Sequence, residues 1–177
     1  MRTKLMVLVA AILTIILSCA ETTSVEAPGE IDPSTNFEVT INTMTTNPEP
    51  SLSSYGYLAI LIPEMWIVDS VYCVGYGYSG PLDAWWNTPS EYFPPASGYE
   101  WSGWRTPVVL HGDSGETGYA NAIITTIDSL GTFQLAFCAG TDHVLGPLWE
   151  DTPCSCTVEV TPLSLEQETW GHIKSEF

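Results

Sequence analysis

The sequence predicts an all-β fold, an antiparallel two-sheet sandwich of immunoglobulin-like type with about seven strands and one long aromatic-rich loop. Three observations point to it. Short apolar, β-branched and aromatic runs recur with period-two alternation. Clusters of Gly, Pro, Asn and Asp separate them at strand-like intervals. Between residues 36 and 162 no segment holds the 3.6-residue period of a long helix. The most apolar stretch, Ser54 to Tyr78, is two such runs broken at Pro63-Glu64, where a proline bars a single continuous helix.

Residues 1–19 read as an export signal. Arg2 and Lys4 precede an apolar run from Leu5 to Leu17, shorter than the roughly 20 residues of a membrane span. Ile16-Leu17-Ser18-Cys19 resembles the lipobox of bacterial lipoproteins. That resemblance implies cleavage before Cys19, lipid attachment at Cys19 and a cell-envelope or outer-membrane lipoprotein held to the membrane through its lipid anchor only. Cleavage after Ala20 would instead give a secreted protein. Residues 20–35 are Ser, Thr, Pro and acid with little to bury, the composition of a disordered acidic tether.

The sandwich domain is expected over residues 36–162. Phe37, Val39 and Ile41 alternate with polar residues, so one face of the first strand is buried. Leu58, Ile60 and Ile62 line one face of the next strand, and Tyr57, Ala59 and Leu61 the other, which suits a central position. After Pro63, Asp69 argues that Trp66, Val68, Tyr72 and Val74 face inward. Gly75 to Trp104 holds no period and reads as a long ordered loop, with at most one helical turn near Ser90 to Phe93. Strands resume at Thr106–Leu110, Tyr119–Ile127 and through Phe133, Leu135 and Phe137; a second loop, Gly140 to Pro153, leads to Cys156–Val160. Residues 163–177 form a tail in which Ser164 and Gln167 could cap a short helix. The patterns Ile62-Pro63-x-x-Trp66, Gly98-Tyr99-x-Trp101 and Gly131-Thr132-Phe133-x-Leu135 resemble β-sandwich modules of large bacterial surface proteins across residues 54 to 140, a likeness that implies fold and no activity.

Charge excludes one class of partner. The formal charge is −17, and after the leader only Arg105 and Lys174 remain against 21 acids, so no cluster of bases exists to neutralise nucleic-acid phosphates. Removing Cys19 leaves Cys73, Cys138, Cys154 and Cys156, an even set in an exported domain, and disulfides are expected. Cys154 and Cys156 are too close in sequence to join easily, which leaves two connectivities in which Cys73 and Cys138 each take one of them.

The candidate ligand surface is aromatic. Trp85, Trp86, Tyr92, Tyr99, Trp101 and Trp104 fall within one short window with Phe93. Such rings can stack on sugar faces while Asp83, Asn87 or Glu100 bonds hydroxyls, or they can fold the loop back as a satellite core. Trp66 belongs to the strand core. Gly112-Asp113-Ser114-Gly115 copies a protease nucleophile segment, but Glu116 replaces the next glycine and no upstream histidine supplies a base, so a β-turn is expected. Glu91 with Glu100, or Glu150 with Asp151, could serve a glycoside hydrolase if they faced each other at about 5–10 Å. Asp113 with Glu116 and Asp142 with Glu150 lack the spacing of a calcium loop. No catalytic residue, metal or cofactor is expected. The reading is a non-catalytic surface module whose partner is a glycan or another cell-envelope protein, with a secreted carbohydrate-active hydrolase as the alternative.

Overall fold

The computed structural model describes residues 20–45, 52–143, 146–149 and 152–162. Cys19, Glu150, Asp151 and the tail 163–177 lie outside these residues. In chain order the strands are β1 (Ala20–Glu26), β2 (Glu30–Ile31), β3 (Asn36–Thr45), β4 (Leu52–Ser54), β5 (Gly56–Pro63), β6 (Ile67–Gly75) and β7 (Tyr78–Pro81). They continue with β8 (Asp83–Trp85), β9 (Tyr99–Arg105), β10 (Leu110–Gly112), β11 (Thr117–Thr125), β12 (Gly131–His143), β13 (Gly146–Trp149) and β14 (Cys154–Val160).

These strands form two sheets. One is ordered β1-β3-β11-β6-β7 and the other β2-β14-β12-β5-β9-β8, with β13 paired to β12; β4 and β10 make a small ribbon apart from both. Immunoglobulin-like sandwiches place strands A, B, E and D in one sheet and G, F and C in the other. Here β1, β3, β11 and β6 take the first set of places and β14, β12 and β5 the second. The sequence prediction of an antiparallel sandwich holds. The chain from Ala20 to Ile31 switches sheets: β1 pairs antiparallel with β3, and β2 pairs parallel with β14.

Burial follows the pleat. Val39 and Ile41, Ile60 and Ile62, Ile124, Leu135 and Phe137, and Val158 and Val160 meet between the sheets and are essentially inaccessible to water. Each such side chain contributes about 1.5–3 kcal/mol of transfer free energy. Trp66 packs edge-on against Phe37 at 5.9 Å and tilted against Phe133 at 5.0 Å, closing one end of this core.

Several expectations are corrected. Residues 20–35 are not a tether: β1 and β2 are paired strands, because a backbone ladder needs few apolar side chains, and Thr22, Val25, Ala27 and Ile31 suffice to seat them at the core margin. In β6, Ile123 opposes Ser70 while Ile124 opposes Val68, so Asp69 is the extra residue of a β-bulge. The bulge flips the pleat. Trp66 and Val68 face inward as expected, but beyond it Val71 and Cys73 are buried and Tyr72 is exposed. The long loop after Gly75 is built instead from β7, β8, a 3-10 turn at Pro89–Glu91 and β9, and the second loop carries β13.

The expected disulfides are absent: none joins Cys73, Cys138, Cys154 or Cys156. Alternation explains part of this. Phe137 and Leu135 sit opposite Cys154 and Cys156 and face the core, so Cys138 projects to the other side of the sheet, where it packs with Tyr57, Ala59 and Trp149. The Cys154 thiol lies 3.1 Å from the Thr22 carbonyl oxygen, to which it donates.

At the end covered by β4 and β10, a cavity of ≈ 80 Å³ opens between the sheets beside Leu58, Cys73, Tyr76, Leu82 and Leu110. Tyr76 plugs this end from a left-handed backbone conformation, φ 57°. Its ring lies over Gly112 and Gly118, where a Cβ would approach ring carbons to 3.1 and 2.8 Å. Its hydroxyl shares a 2.8 Å hydrogen bond with Thr43, and its N–H donates to Glu116 Oε1. Burial pushes the Cys73 thiol from 9.0 up to about 11 and the Tyr76 phenol from 10.0 up to about 12.

Because the unfolded chain ionises these two groups first, their contribution to stability is complete below pH 9.0 and is lost as pH rises through about 11 and 12. Urea midpoints measured across that range should fall, and the fall should be smaller in a Cys73→Ala, Tyr76→Phe double variant; equal falls would show that other groups carry the alkaline transition. Alkylation in denaturant without reductant should label all four of Cys73, Cys138, Cys154 and Cys156. A pair labelled only after reduction would contradict the thiol assignment.

Candidate functional site

The outer face of the second sheet carries the site. Along β9 the pleat divides the aromatic window: Trp104 faces the core and is 9 % exposed, while Trp101, Gly103 and Arg105 face outward. On β5, Tyr57 and Ala59 face outward with them. These residues build a second apolar layer, in which Tyr57, Ala59, Cys138 and Trp149 are buried and Tyr55, Trp85, Phe93 and Trp101 pack around them. The sheet is therefore covered on both sides.

Arg105 is held inside this layer. Its guanidinium carbon lies 3.7 Å from the Trp85 ring centroid and 4.7 Å from that of Tyr55, a stacked cation between two rings. Trp85 also meets Tyr57 at 6.3 Å and Trp86 at 5.9 Å. The Tyr57 hydroxyl donates to Asp142 at 3.4 Å. Burial and then the Asp142 charge hold the Tyr57 phenol above its usual value, with Arg105 opposing them.

Above the layer runs residues 86 to 93. Gly103 lets this segment lie against β9: a Cβ there would come within 2.4 Å of the Trp85 carbonyl oxygen and 3.1 Å of that of Asn87. Trp101 Nε1 donates to the Phe93 carbonyl at 2.9 Å, and the N–H groups of Tyr92 and Phe93 both donate to Pro89 O. Trp86, Asn87, Thr88, Glu91, Tyr92, Pro147 and Trp149 line a groove of ≈ 330 Å³. Trp86 is 81 % exposed and Tyr92 68 %.

The six aromatics singled out from sequence thus separate into four groups. Trp86 and Tyr92 are exposed at the groove; Trp85 and Trp101 pack in the outer apolar layer; Trp104 belongs to the main core, its Nε1 donating to Ser102 at 3.0 Å. Tyr99 sits apart at the other end of β9, where its hydroxyl accepts from the Gln134 N–H at 3.4 Å. The packing reading holds for Trp85, Trp101 and Trp104, whereas Trp86 and Tyr92 are exposed. Trp149, Tyr55, Tyr57 and Arg105 were not singled out as site residues. The signal available for them was the second apolar face of β5, which demands a cover.

Glu91 and Glu100 do not converge here, and Glu150 with Asp151 lies outside the described residues. Glu91 lines the groove, whereas Glu100 pairs with Ile62 on the core-facing side of β9. Among the described residues the groove has one carboxylate and no cation. Gly112-Asp113-Ser114-Gly115 is a turn, with Glu116 N–H donating to Asp113 O at 3.1 Å and Asp113 N–H to the Glu116 carboxylate. No group of three or more His, Cys, Asp or Glu side chains is placed to hold a metal among the described residues.

No protein-family model matches the sequence, and no curated protein matches it. Solved structures do share the fold. A cohesin module from a family 33 glycoside hydrolase of Clostridium perfringens is 15 % identical, with 82 % of this chain covering 99 % of that one at a TM-score of 0.50. AvmM, which catalyses macrocyclization in alchivemycin A biosynthesis, is 13 % identical over 84 % of this chain and 92 % of its own, also at 0.50. The major pilin subunit BcpA of Bacillus cereus is 9 % identical over 81 % and 41 %, at 0.47. A cohesin module and a macrocyclization catalyst thus share the sandwich, and the likeness establishes architecture alone.

Proposed function

We propose that this protein is an exported, lipid-anchored, non-catalytic module of the cell envelope that binds through the aromatic outer face of its second sheet. One observation carries the reading. Trp86 and Tyr92 are exposed at 81 % and 68 % on a segment whose neighbouring rings Trp85 and Phe93 pack against the outer layer, so these two large rings are kept in water. The groove between them is polar enough to orient a partner. Export rests on the leader: Arg2 and Lys4, the apolar run to Leu17, and Ser18-Cys19 placing the anchor at Cys19. The hydrolase alternative is disfavoured because hydrolysis calls on two facing carboxylates and the described groove offers Glu91 alone.

Mass spectrometry of the mature protein should find a diacylglyceryl adduct on Cys19; an unmodified terminus beginning after Ala20 would make the protein freely secreted. A Trp86→Ala, Tyr92→Ala double variant should keep its melting temperature and lose about tenfold or more of its retention on isolated envelope material. Trp104→Ala should instead cost about 3–5 kcal/mol of stability in urea melts. Undiminished retention by the double variant would remove the groove from the function, and release of reducing sugars by the wild type would reinstate the hydrolase.

A further inference from the structure

The ligand class can be read from the groove itself, given the surface-binding reading above. Three properties of the groove constrain it. The first is charge: the described lining carries the Glu91 carboxylate and no base, and Arg105 is stacked between Trp85 and Tyr55 beneath it. In a chain of formal charge −17 this field repels uronates, sialylated sugars and phosphates. The second is polarity. Asn87, Thr88 and Glu91 interrupt the rings, and an apolar side chain docked there would strip water from them without replacing its hydrogen bonds. A sugar hydroxyl does replace them, donating to the carboxylate or accepting from the amide, while its C–H face covers an indole or phenol ring.

The third property is fixed shape. The segment is pinned from below by Gly103, where even a Cβ would strike the Trp85 carbonyl, and from the side by the Trp101–Phe93 hydrogen bond. The rings are therefore held in place before a ligand arrives, which lowers the ordering cost of binding. At ≈ 330 Å³ the groove sits at the small end of ligand sites, which run about 300–1,000 Å³.

We infer that the groove binds a neutral, hexose-based glycan, stacked on Trp86 and Tyr92 and hydrogen-bonded through Glu91 and Asn87. Trp86 supplies ring surface, Glu91 selects against negative charge, and Gly103 lets the segment seat on β9.

Titration calorimetry of the mature full chain against neutral gluco-, manno- and galacto-oligosaccharides, with matched uronate and sialylated oligosaccharides, tests this. At least one neutral series should bind, with uronates about tenfold weaker or more. Trp86→Ala should abolish the heat at unchanged melting temperature, and Trp86→Phe should restore part of it. Glu91→Gln should narrow the gap between neutral and uronate ligands. Tighter binding of uronates by the wild type would overturn the inference, as would neutral binding that survives Trp86→Ala. If no oligosaccharide binds but Trp86→Ala still lowers retention on envelope material, the glycan assignment fails and the surface-binding reading stands. If neither responds to Trp86→Ala, both fail.

Discussion

Everything in this molecule depends on the second sheet being apolar on both faces. Its central strands β5 and β9 cannot leave either side to water: Leu58, Ile60, Ile62 and Trp104 demand one cover, and Tyr57, Ala59 and Trp101 demand another. The first sheet supplies the first. The second comes from the chain between β8 and β9, which crosses the outer face with Phe93, and from the outward side chains of Trp85 on β8 and Trp149 on β13, strands that extend the sheet itself. The candidate groove is a by-product of that cover. Where the covering chain turns, two rings have no sheet left to sit on, and Trp86 and Tyr92 remain outside.

The electrostatics of the outer layer follow from the same constraint. A guanidinium emerging on an apolar face needs a partner that does not require water, and Arg105 finds it in two ring faces. Tyr57 beneath it is pulled two ways, by Asp142 toward the neutral phenol and by Arg105 toward the ionised one, and desolvation decides for the neutral form. The layer is thus fixed by stacking and shape more than by charge, in keeping with a chain almost without bases.

Legibility in the sequence tracked how strongly each residue type is tied to its environment. Phe37–Ile41, Tyr57–Ile62 and Phe133–Phe137 declare their strands because alternate side chains fall on opposite faces, and burial sorts them. Asp69 was read correctly as exposed and still misled, since a bulge lets an acid sit out without fixing the phase beyond it. Residues 20–31 were illegible: their pairing is a property of the backbone, and a Thr- and Glu-rich segment completes a ladder as well as any other. Part of the cysteine failure has a geometric reason that parity cannot see: Cys138 lies on the outer face of its sheet, away from Cys154 and Cys156 on the core side. In the aromatic window, spacing alone gave Trp101 and Trp104 the same standing, although an odd separation on one strand sends them to opposite sides.

The sheet switch near the amino-terminal end of the domain has a mechanical corollary. β2 runs parallel to β14, and the contact is held by Glu159 N–H to Gly29 O at 2.9 Å and Thr161 N–H to Ile31 O at 3.0 Å. Tension applied upstream of β2 and downstream of β14 pulls two parallel strands in opposing directions along their length. Those bonds are then loaded together in shear instead of being peeled open one after another.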